Sequence, residues 1–298
     1  MSRLATVPRR SFGAQASTLA FTLAITLGLS SALCACEPST KKSVAEAKAH
    51  VQFLAQAADQ DVGEVRHGLP EGAKKLVPLF KNAAPGVPDA QAASKALASA
   101  RDEVQDLRVA KSTFFAVATP DGQILRNDRE ADDMAGKNLF TAYPGLKTAL
   151  TAGYVESRGS MKEAAGVRNR DDSQWVAAAP VMGDSGALGV YATGWSWSSY
   201  AYRLETALRS KLLTETPEGG KVPLIYVYIV VGDAVYGAPV SPQVNAKAIA
   251  ELKPVSKLKG NEPFTTELEI EGRGFGLVVQ GAPKLGKDVG IAVLRSET

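Results

Sequence analysis

The sequence predicts an α+β protein in which long N-terminal helices precede antiparallel sheets. Three observations carry this prediction. Between Phe114 and Trp197, apolar runs of strand length pair off around turn residues, first FFAVA–PDG–QILR and then QWVAAAPVM–GDSG–ALGVYATGW. Upstream, two stretches repeat apolar residues at three- and four-residue steps, the period of a helix with one buried face. Downstream of Leu224 the order strand, tight turn, strand returns, with a meander behind it.

The N-terminus reads as an export signal over residues 1–35. Arg3, Arg9 and Arg10 form a positive region, and Ala16 to Leu33 is apolar with scattered Thr and Ser. Arg9-Arg10-Ser11-Phe12 partly resembles a twin-arginine motif, with Gly13 where an apolar residue is usual. Leu33-Cys34-Ala35-Cys36 resembles the lipobox of bacterial lipoproteins. That resemblance implies lipidation of Cys36 as the first mature residue. By the sorting rule of enteric bacteria, Glu37 after it implies the outer membrane, facing the periplasm. The alternative is an uncleaved transmembrane helix, for which about 18 residues is the lower limit. Both cysteines lie here, so a cleaved chain keeps no thiol for a disulfide, a nucleophile or a metal. Residues 36–42 are a short polar tether.

The chain carries 34 basic and 31 acidic residues, and three of the basic ones are Arg3, Arg9 and Arg10. Without the leader the charges balance, which argues against a nucleic-acid partner, since that would require a basic surface.

Ser43 and Glu46 have the spacing of a capping box, and Val44, Ala47, Val51, Leu54, Ala58, Val62 and Val65 form one helical face. Gly68 and Pro70 are expected to stop this helix near Arg66. His50 and His67, the only histidines, lack metal-site spacing and are expected on the surface. Residues 68–88 read as a loop with one short helical piece, Leu76 to Phe80. Asp89 caps a second helix reaching about Ala110.

Several motifs then follow in order. They are Asp121-Gly122 in a hairpin turn, Arg126-Asn127-Asp128 after the second strand, Gly136-Lys137-Asn138-Leu139, Val176 to Val181, and Leu188-Gly189-Val190 with Gly194-Trp195. In this order, behind a long helix, they resemble the Cache family of extracytoplasmic sensor domains, relatives of PAS domains. The resemblance spans roughly residues 43–213 and implies a sheet-and-loop pocket for a small-molecule ligand. The amino-acid-binding branch has a Tyr/Arg/Trp/Asp signature that is not traceable here, so the ligand class stays open. Tyr143, Trp175, Tyr191 and Trp195 are candidate aromatic walls, with Trp197 beside them. Arg126, Asp128 and Arg168 are candidate groups for holding an anion or zwitterion, because guanidinium presents a planar donor fork. The competing reading of the aromatics is sheet packing, and of Arg168-Asn169-Arg170-Asp171-Asp172 a solvated loop. Lys137 and Asn138 are expected to be structural.

Ser196 or Ser198 caps a helix from about Tyr200 to Leu213, and residues 214–222 read as a linker. Residues 223–298 read as a second, smaller PAS-like domain, giving two PAS-like antiparallel-sheet domains in a double-Cache-like arrangement. Gly272, Gly274 and Gly276 lie between strands with no helix after them, so they lack the basis of a phosphate loop.

No enzyme is expected. Gly183-Asp184-Ser185-Gly186 looks like a protease nucleophile segment, but it sits in a hairpin turn and has no general base in a matching context. Neither a Walker loop nor metal-ligand spacing is found, and no cofactor is implied. The leading expectation is a lipid-anchored extracytoplasmic sensor. The chain ends at Thr298 without a kinase or methyl-accepting segment, so a separate membrane-protein partner would carry the signal. The alternative is an envelope interaction or assembly lipoprotein without a ligand. A carboxylate-pair hydrolase is a third option that only geometry decides.

Overall fold

A computed structural model describes residues 39–83, 86–165 and 172–297. The leader, the lipobox Cys36 and the candidate Arg168 lie outside the described residues. Helix α1 (Ser39–Lys75) has 37 residues, a length of about 55 Å. Its apolar face, from Ala47 through Val51, Leu54, Ala58, Val62 and Val65, is fully or almost fully buried. Each such Val or Leu contributes about 1.5–3 kcal/mol on burial.

Two of the sequence expectations for α1 need correction. Ser43 is not its cap but lies inside it, buried, with its hydroxyl 3.4 Å from Glu297. Gly68 and Pro70 also fail to stop it. The helix continues because Leu69 and Ala73 extend the buried face, and Gly68 and Gly72 serve close approach. A Cβ on Gly68 would lie 2.8 Å from the Leu107 side chain, and one on Gly72 would lie 2.7 Å from the Tyr191 ring. Helix α2 (Val77–Ala83) follows, then α3 (Ala90–Glu103), where Asp89 accepts the N–H groups of Gln91 and Ala92 as expected. The predicted helix to Ala110 breaks at Val104, whose backbone is extended, and resumes as α4 (Gln105–Val109).

The first sheet contains β1 (Phe114–Ala118), β2 (Ile124–Asn127), β3 (Val155–Gly159), β4 (Gln174–Gly183) and β5 (Gly186–Ser196), in the order β2-β1-β5-β4-β3. Between β2 and β3 run α5 (Leu139–Ala142) and α6 (Ala149–Ala152), and α7 (Lys162–Ala165) follows β3. Asn138 caps α5 through the N–H groups of Phe140 and Thr141, a structural role as expected. Ser196 caps α8 (Trp197–Glu215), which leads to the second sheet. That sheet contains β6 (Leu224–Val231), β7 (Ala234–Gly237), β8 (Phe264–Ile270), β9 (Arg273–Gly281) and β10 (Val289–Ser296), with α9 (Gln243–Glu251) after β7. Its order, β7-β6-β10-β9-β8, repeats the first sheet strand for strand.

Each sheet has two buried faces. One core runs under α1 and joins both sheets: Phe115, Val117, Trp175, Tyr191 and Trp195 from the first, and Ile225, Val227, Ile229, Val278, Ile291 and Val293 from the second. The opposite face of the first sheet is covered by the chain between β2 and β4. The opposite face of the second carries a separate core with Ile249 of α9. Among the described residues, no helix is long and apolar enough to cross a membrane.

Candidate functional site

Strand alternation sends the candidate residues to different faces. Trp175, Tyr191 and Trp195 lie on the face under α1 and are almost fully buried. Trp175 stacks on Trp195 with ring centroids 4.3 Å apart, and Trp195 on Tyr200 of α8 at 4.7 Å. Tyr191 stacks on Phe115 at 5.9 Å. Burial raises its phenol well above the usual range, and its hydroxyl has no hydrogen-bond partner among the described residues.

Arg126 and Asp128 stand at the same side, toward α3. The Arg126 guanidinium pairs with Asp132 at 2.7 Å. Asp128 accepts the Phe115 N–H at 2.8 Å and an Arg101 N–H at 3.0 Å. Burial pushes its carboxyl up, while the Phe115 N–H and Arg101 pull it down. Both groups are thus engaged in tying β2 to its surroundings. Tyr143 alone among the described candidates lies on the covered face. Its hydroxyl donates to Gln174 Oε1 at 2.9 Å, and burial raises its phenol. The structure therefore does not gather the six described candidates into one site.

It builds another arrangement on the covered face. The middle of that face is a shallow floor of Ala116, Ala178 and Ala192, with Gly194 in the same register. Over it lie Met134, Leu139, Phe140, Tyr143, Leu146 and Met161 from the covering chain. Polar groups stand at two ends of the floor. At one end Gln174 accepts from Tyr143 and from the Met161 N–H (2.8 Å), and donates to the Asp172 carbonyl (3.0 Å). At the other end is Asn127, paired in register with Ala116 and fully buried. Its Oδ1 accepts the Arg129 N–H at 2.7 Å, and its Nδ2 has no partner among the described residues. An unpartnered buried amide costs about 1–3 kcal/mol, so it calls for an explanation.

Sequence reasoning singled out the charged neighbours of Asn127 and passed over Asn127 itself. The signal was available: in a two-residue period, Arg126 and Asp128 share one side and Asn127 takes the other. Gln174 had a signal too, as a polar residue opening the apolar run that follows. His50 also corrects an expectation. It is not a surface residue but lies on the buried face of α1, with its Nε2 3.5 Å from Arg295. His67 is exposed as expected. Among the described residues, no cluster of three or more His, Cys, Asp or Glu is placed to hold a metal.

No protein-family model matches the chain, and no curated protein does. Solved structures do. Methyl-accepting Chemotaxis protein X superposes with a TM-score of 0.52 at 14% identity, covering 87% of this chain and 98% of that one. The extracellular domain of vpHK1S-Z8, described as a histidine kinase, gives 0.52 at 9% identity, with 86% and 92% covered. An extracellular ligand binding receptor from Desulfohalobium retbaense gives 0.50 at 14% identity over 84% of this chain, which spans 40% of that receptor's length. Identities this low speak for the fold alone. The chain has the fold of double-Cache-like extracytoplasmic sensor domains, two five-stranded antiparallel sheets set along one long helix.

Proposed function

We propose that this chain is an extracytoplasmic sensor of a small molecule, bound between the first sheet and the chain that covers it. The observation that carries the reading is the buried, unpartnered Nδ2 of Asn127 beside a floor of alanines. A ligand oxygen would satisfy that donor, and a ligand body would lie on the small floor side chains once the cover yields. Met134 and Met161 in the cover are unbranched and repack readily, which suits them to yield to an incoming molecule. Binding would bias the position of the cover against the sheet. The proposal extends to lipidation at Cys36, residence at the outer membrane facing the periplasm, and a separate membrane partner that receives the signal. It is a binding role without a catalytic step.

A thermal-shift screen of the purified full chain against amino acids, organic acids, purines and polyamines tests this. A ligand at 100 times its Kd adds about 2.7 kcal/mol, a shift of several degrees. Asn127→Ala is expected to remove that shift. A hit that is indifferent to Asn127→Ala would overturn the assigned site. The close packing of the cover on the floor favours a second reading, an envelope interaction lipoprotein that keeps the fold without a ligand. A library with no hit would select it. Metabolic palmitate labelling that persists in Cys36→Ser would overturn the anchor.

A further inference from the structure

A cleft of about 280 Å³ opens at the β3 edge of the first sheet, on the side away from the covered floor. Its walls come from both lobes. Arg66 of α1, Glu156 and Arg158 of β3, and Trp175 of β4 form one side, and the β9–β10 connection with Lys284 and Lys287 forms the other. None of these residues takes part in the Asn127 site.

The cations are held in place in different ways. Arg66 forms a two-pronged pair with Glu156 (2.6 and 3.0 Å) and donates to the Lys284 carbonyl at 3.2 Å. Arg158 pairs with Asp288 at 2.8 Å and donates to the Leu285 carbonyl at 3.2 Å. Its guanidinium lies 5.9 Å from the Trp197 ring, and it packs where a Cβ on Gly286 would collide with it. Gly286 has φ +149°, a conformation L side chains rarely adopt, so backbone and contact both call for glycine there. Lys284 faces Asp59 at 3.4 Å. Lys287 is exposed and unpaired among the described residues. With Asp59, Glu156 and Asp288 counted, the cleft keeps a surplus of one positive charge. A guanidinium has five N–H donors, so both arginines keep donors beyond these bonds.

We propose that this cleft is a second binding site, for a compact organic di- or tricarboxylate. Carboxylates match the planar forks of Arg66 and Arg158 and the free ammonium of Lys287. The exposed Pro283, with the buried Trp175 and Leu285 behind it, gives a hydrocarbon body something to lie against, which a bare phosphate ion would leave unused. The volume falls just under the usual range of roughly 300–1,000 Å³ for small-molecule sites, which limits the ligand to a small acid. Because the walls belong to both sheets, an occupant would bridge them.

Calorimetric titration of the full chain with succinate and with citrate tests the proposal, with inorganic phosphate for comparison. At least one carboxylate is expected to bind, more weakly as sodium chloride is raised. Lys287→Glu, which changes no packed contact, is expected to weaken it tenfold or more. Gly286→Ala is expected to weaken it through the displaced Arg158, and Lys287→Glu decides the matter if that variant does not fold. Asn127→Ala should leave the affinity unchanged, which separates this site from the covered floor. Absence of binding by both acids, unchanged affinity in Lys287→Glu, or tighter binding of phosphate than of either acid would overturn the proposal.

Discussion

Tyr200→Phe should be a costly change, although it removes a single oxygen. The Tyr200 hydroxyl donates to Asp61 Oδ2 at 2.9 Å, joining α8 to α1 within the core. Both residues are buried. Burial is the largest influence on Asp61 and raises its carboxyl above the ordinary value, while the Tyr200 hydrogen bond lowers it. Phe keeps the ring stacked on Trp195 but leaves the carboxylate without its donor. A hydrogen bond to a charged group contributes about 1.5–3 kcal/mol. At about 2–4 °C per kcal/mol for a chain near this size, a loss of about 2 kcal/mol lowers Tm by about 4–8 °C.

The pH dependence has a definite sign. A carboxyl whose folded pKa is raised gives stability that is complete below its unfolded value and is lost as pH rises through the folded value. Without Tyr200 the folded value rises further, so the penalty of the variant should be larger at about pH 7.5 than at about pH 4.5. Urea unfolding followed by tryptophan fluorescence at the two pH values measures this. Asp61→Asn should remove the pH difference, and the double variant should show coupling. A Tyr200→Phe variant within about 0.5 kcal/mol of the parent at neutral pH would refute the reasoning, since it would place the donor outside the stability of the core.

Two further perturbations follow from the same structure. Burial first, and then Arg295, lower the pKa of His50, with Lys211 adding to the effect and Glu46 and Glu215 opposing it. Stability carried by neutral His50 is therefore complete above its unfolded value, near pH 6.5, and is lost as pH falls toward the folded value. His50→Gln should flatten the stability profile over that window, as read by Tm at stepped pH. Gly122 has φ +90° in the β1–β2 turn, with the Phe140 ring where a Cβ would stand. Gly122→Ala should cost about 1–3 kcal/mol, measured by urea midpoint, because left-handed strain and overpacking act together.

The sheets were legible because their signals are local. FFAVA, QWVAAAPV and ALGVYATGW are continuous apolar runs bounded by turn residues, and a strand buried on both faces has that composition. The recurrence of a hairpin at Leu224 signalled the second sheet, while the equal strand order of the two sheets is visible only in the structure. The end of α1 was misread because Gly68, taken with Pro70 as a stop, marks a close approach, as Gly72 does after it. Only the positions of Leu107 and Tyr191, distant in sequence, decide between stop and approach. The same holds for Gly276, over which the α1 backbone at Ser43 and Val44 passes closely. The aromatic candidates were chosen by residue type, which carries no information on face. Asn127 was within reach of the strand period. The cleft was not, because Arg66, Arg158 and Lys287 meet only through the packing of three separate elements.

Helix α1 touches strands of both sheets within a single hydrogen-bonded rod. Such a rod behaves as a lever: a tilt of about 5° about one end would carry the other through about 5 Å over its length of about 55 Å. Close steric seats at Gly68 and Gly72 on one lobe and at Gly276 on the other fix both points of purchase. A change in the spacing of the lobes that tilted the rod by that amount would therefore arrive at its far end as a displacement as large as a side chain.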